Sequence, residues 1–86
     1  MKRRKLLARL AAGAMRNVAF DDFVGLVEAF GFSQVRQSGS HHIYSRPGVP
    51  QLVNLQDVNG EAKPYQIRQF LRLVERHNLT MEEEHE

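Results

Sequence analysis

The hydrophobic period changes twice between Phe20 and Leu79, and this limits the folds open to the chain. Phe20 to Phe32 reads FDDFVGLVEAFGF, with Phe23, Val24, Val27 and Phe30 at helical spacing and Leu26 at the stripe's edge. Asp21 or Asp22 can cap this helix and complements its dipole, and Gly31 stands where a left-handed C-terminal cap belongs. The pattern then turns to short strands: Phe32 to Arg36, His41 to Arg46 and Gln51 to Leu55, separated by the QSGS turn and by Pro47, Gly48 and Pro50. A loop, DVNGEAK, leads to Pro64, which suits a first helical turn. Ile67, Phe70, Leu71 and Val74 form the apolar stripe of a closing helix, with Asn78 as its stop and Leu79 placed to fold back onto the core. The order α-β-β-β-α predicts a two-layer α+β domain, its three-stranded antiparallel sheet covered by both helices on one face and open on the other.

Ahead of this unit, residues 3–15 carry Leu6, Leu7, Leu10, Ala11 and Ala14 at helical spacing, weakened at the far end by Gly13. The segment reads as a short amphipathic helix, either docked or loose. Three parts are expected: a basic extension over 1–19, a domain over 20–80 and an acidic tail over 81–86. In 86 residues there is room for one small domain. The formal charge of +2 hides a polarised distribution. Lys2, Arg3, Arg4, Lys5, Arg9 and Arg16 precede any acid, and Glu82, Glu83, Glu84 and Glu86 close the chain. With 12 Lys and Arg set against the 6 acids outside that tail, the charge is +6. Such a body fits a polyanion partner, although solvated chain ends give the same pattern. No apolar run approaches the ~20 residues of a membrane span, and Arg9 interrupts the stretch that resembles a leader, so a cytoplasmic protein is expected.

RQSGSHHIY, from Arg36 to Tyr44, is the stretch richest in chemistry. Histidine, with an unperturbed pKa of about 6.5, serves as acid or base near neutrality. Neighbouring strand residues point to opposite faces, so His41 shares a face with Ile43 and His42 shares one with Tyr44. Both Ile43 and Tyr44 are plausible core residues, and the residues alone do not choose between the histidines. His77 and His85 have no metal-ligand spacing with the pair, and no paired carboxylates lie near it. HExxH, P-loop and dinucleotide fingerprints are missing, and there is no cysteine. Neither a metal nor a cofactor is therefore expected. Arg68, Arg72 and Arg76 recur every four residues on the closing helix, and Lys63 lies just before it. They form either a phosphate-gripping stripe or a solvated face.

Two runs, GFSQVRQSGSHHIYSRPG from Gly31 to Gly48 and GEAKPYQIRQFLRLVERHNL from Gly60 to Leu79, resemble the HicA family of toxins. The resemblance covers roughly residues 20–80, and its GF…GSH pairing is the more specific part. It implies a fold like the double-stranded-RNA-binding domain. It also implies an endoribonuclease that cleaves mRNA without a metal, restrained by a HicB-like antitoxin in a type II toxin–antitoxin pair. The family's catalytic histidine, in its GSH motif, maps onto His41, with His42 as the alternative. Gly39 and Ser40 form the turn that presents it. Ser40, Lys63, Arg68, Arg72 and Arg76 are the candidate RNA contacts. The basic segment from Met1 to about Ala19 and the acidic tail are departures from the family core. Two other readings compete: a non-catalytic RNA-binding module of the same fold, and a small protein-interaction domain.

Overall fold

A computed structural model describes residues 1–81, so Glu82 to Glu86 of the expected acidic tail lie outside the described residues. The chain runs α1 (Arg3–Ala11), α2 (Phe20–Ala29), β1 (Ser33–Ser38), β2 (His41–Arg46), β3 (Val49–Val58), β4 (Glu61–Ala62) and α3 (Pro64–Arg76). The strands form one antiparallel sheet in the order β1-β2-β3-β4. This α+β arrangement is compatible with the double-stranded-RNA-binding-domain-like fold. It adds a fourth strand to the expected three. β4 is only two residues long, paired with Asp57 and Val58 in a stretch read as loop, and it carries no periodic signal of its own.

The first helix is docked. Leu6 and Leu10 are buried in the same core as Phe23, Val27, Tyr44, Leu55, Ile67 and Phe70. α1 ends at Ala11, short of the expected Ala14, and Gly13 follows with a positive φ of 93°. In α2 the buried positions are Phe20, Phe23, Leu26, Val27 and Ala29. Leu26 is thus central to the stripe, while Val24 only packs against its margin. Ala19, not an aspartate, occupies the N-cap; Asp21 and Asp22 sit in the first turn, where they still complement the helix dipole.

α3 seats Gln66, Ile67, Phe70 and Leu73 inward, so its stripe is rotated from the expected one and leaves Leu71 and Val74 half-buried. The Phe70 ring meets Phe23, Phe30 and Phe32 edge-on at centroid distances of 5.6, 5.7 and 5.5 Å. Asn78, at φ 51°, ends the helix region, and Leu79 packs back onto the core. Gln66 is a buried polar side chain with a defined role: its Oε1 accepts the Gln56 backbone N–H at 2.8 Å. β3 extends beyond Gln51–Leu55 at both ends. The Pro47–Gly48 turn is enough to reverse the chain, and Pro50 is tolerated near a strand end. In β1, exposed Val35 is skipped by the pairing between Gln34 and Arg36.

Gly31 links α2 to the sheet. It adopts φ 91°, and a Cβ there would lie 2.9 Å from Arg46 Nε, which donates to the Phe30 carbonyl at 2.8 Å. Gly31→Ala is therefore expected to destabilise the fold by about 1–2 kcal/mol from the left-handed backbone alone. A lowered urea midpoint with an unchanged denaturant slope checks this.

Candidate active site

Strand alternation assigns the two histidines to different surroundings. Tyr44 is buried on the helix-covered face of β2, and His42 shares that face. The His42 ring lies 5.0 Å from the Phe20 ring at the start of α2, and its Nδ1 is 3.3 Å from Gln34 Oε1. Gln34 Oε1 also accepts the Tyr44 hydroxyl at 3.4 Å. A carbonyl oxygen only accepts, so Nδ1 of His42 donates to it. His42 is a packed, tethered side chain.

His41 points the other way, to the open face. It is exposed and pairs across the sheet with Ser38 on one side and Gln56 on the other. Its Nδ1 lies 3.3 Å from Asn54 Oδ1. With that oxygen as acceptor, Nδ1 carries a proton, and in the neutral ring the lone pair lies on Nε2. Arg36, paired with Ile43, and Asn54, on the other side of Ile43, share this face and are exposed. The sequence reading did not single out Arg36 or Asn54. Their signal is cross-strand register, which joins residues thirteen apart, such as His41 and Asn54, and has no trace in local periodicity.

One end of the molecule gathers around the histidines. The Ser40 carbonyl accepts the Asp57 N–H at 3.1 Å; Asp57 pairs with Ala62; and Glu61 bridges to Ala19, just before α2. Gly39 turns the chain at φ 60° with open space around its missing side chain. Lys63 follows β4 at this same end, with its Nζ 5.7 Å from the Tyr65 ring centre. Arg68, Arg72 and Arg76 lie on the exposed side of α3, away from the open sheet face that carries His41. With a rise of ~1.5 Å per residue, the stripe leads away from the histidine end. Arg72 and Arg76 line one shallow concavity together with Glu75. Lys63 thus joins the histidine end and the three arginines do not. Among the described residues, no group of three or more His, Asp or Glu side chains is arranged to hold a metal ion, and no helix is long and apolar enough to cross a membrane.

A model of the family described as the HicA toxin of bacterial toxin–antitoxin systems matches residues 20–75, 56 of the 86 residues. The match spans α2 through nearly all of α3 and leaves α1 outside. No curated protein and no solved structure shows a significant match.

Burial raises the Tyr44 hydroxyl above its ordinary pKa of 10.0, and Glu28 and Asp21 add to the shift. The fold therefore favours the protonated phenol. Its contribution is complete below pH ~10 and is lost as pH rises through the elevated value. Urea titrations from pH 9 upward should show a falling midpoint that is less steep in Tyr44→Phe.

Proposed function

Because the chain belongs to the HicA toxin family of bacterial toxin–antitoxin systems, we propose that it is an mRNA-cleaving endoribonuclease whose acid–base group is His41. Its partner is an antitoxin, which we propose to be HicB-like, and we place its action in the cytoplasm, where mRNA is translated. One observation carries the choice of residue. Of the two adjacent histidines, His42 is held inward by Phe20 and Gln34, whereas His41 stands exposed with Nδ1 engaged by Asn54 and Nε2 open.

The chemistry needs little more than this. His41 Nε2 takes the proton of an RNA 2′-hydroxyl, the 2′-oxygen attacks the adjacent phosphorus, and the bond to the 5′-oxygen breaks. That oxygen leaves with a proton from solvent, giving a cyclic phosphate and a 5′-hydroxyl end. Arg36, on the same open face, supplies positive charge to the phosphate oxygens as the transition state forms. Ser40 and Lys63 border the site at its turn end, and the Lys63 ammonium holds a flanking phosphate there. None of these steps calls for a metal.

General acid–base help is worth roughly 10²–10⁴-fold, so His41→Ala is expected to slow cleavage of a labelled mRNA in EDTA by that factor with the fold retained. His42→Ala should keep most of the cleavage rate while losing about 0.5–1.5 kcal/mol of stability with its Phe20 contact. Cleavage that survives in His41→Ala and disappears in His42→Ala transfers the role to His42. RNA retarded intact by the wild-type chain would make the protein a binding module.

A further inference from the structure

We infer that α1, which lies outside the family match, is a second phosphate-backbone contact surface for the RNA held at the histidine end. The inference rests on the ribonuclease reading and extends its substrate footprint.

The first observation is that α1 has a fixed place in the fold. Leu6 and Leu10 are 1% and 0% exposed, so its polar residues hold set positions on the surface. Arg4 and Lys5 are exposed, and Arg16 is exposed beyond the helix, its carbonyl accepting from the Arg9 guanidinium. The second is that this charge does not complement the dipole of its own helix. No acid lies in the first turn of α1 and no side chain caps it, while Arg4 and Lys5 lie at its positive end. Cations there oppose the helix dipole by a few tenths of a kcal/mol each.

The third observation is position. The Met1 amino group pairs with Asp22 at 3.2 Å, in the same helical turn as Phe20, whose ring contacts His42. The cationic run therefore begins at the end of the molecule where the Ser40 turn, β4 and both histidines meet. Residues 1–16 carry six Lys and Arg and no acid, so the segment has a net positive charge. A strand of phosphates complements that excess, and its spacing suits a surface rather than a pocket.

The test measures binding of a single-stranded RNA oligonucleotide to full-length His41→Ala protein across salt concentration. Adding Arg4→Gln and Lys5→Gln should reduce the slope of log affinity against log salt by about 1.4, two contacts at ~0.7 each. Between 50 and 200 mM salt that is roughly a 7-fold smaller loss of affinity. Arg4→Lys with Lys5→Arg should keep the original slope, because charge carries the contact. An unchanged slope in the Gln variant overturns the inference, as does an unchanged slope accompanied by weaker antitoxin binding. Failure of the parent protein to bind RNA at low salt would instead remove the ribonuclease reading itself.

Discussion

Phe70 sits where three aromatic rings converge, each meeting it by an edge, and the seating of α3 depends on that cluster. Phe23 lies in α2, Phe30 at its end and Phe32 just before the sheet, so one side chain fixes α3 against both the first layer and the second. One turn earlier on α3, Gln66 then reaches the backbone of Gln56. Gln56 is the cross-strand partner of His41. The aromatic cluster and the exposed histidine are thus joined through a single buried amide. Core packing in so small a domain is inseparable from the placement of its surface chemistry.

The adjacent histidines divide between two tasks because a strand turns successive side chains to opposite faces. His42 joins Phe20, Gln34 and Tyr44 in binding β2 to α2 and β1. His41 is left among Arg36, Ser38, Asn54 and Gln56, a polar surface that the helices do not cover. Identical side chains one residue apart thereby meet different dielectric surroundings and different partners. The open face is free of helices because all three pack into the core on the other side.

Much of this was legible in the sequence, and the parts that were not share a physical cause. The bounds of β2, His41 to Arg46, are legible because turn residues on both sides delimit it sharply. The cap at Gly31 is legible because few positions other than a left-handed cap need a glycine after such a helix. Helix phase was harder. Val24 competes with Leu26, and Leu71 and Val74 compete with Leu73, because a flanking apolar residue differs from a central one only by rotation about the axis. β4 exists through pairing with Asp57 and Val58, a property of the tertiary fold. Arg36 and Asn54 became visible beside His41 only once the register was known. The arginines of α3 show the converse: a regular stripe in sequence that the fold directs away from the histidine.

The skipped residue in β1 and the amide of Gln66 bear also on how the protein behaves at high concentration. A sheet with two free margins invites copies to stack through unpaired backbone groups, and cross-β growth draws on continuous segments of about six or seven residues. Val35 interrupts one margin near its middle. The other is occupied by β4 at Asp57 and Val58 and by Gln66 at Gln56, and it carries Pro50 near its start. What remains is the stretch from Gln51 to Leu55, too short to template a fibril. Those same small interruptions break both margins of the sheet into short runs of unpaired backbone.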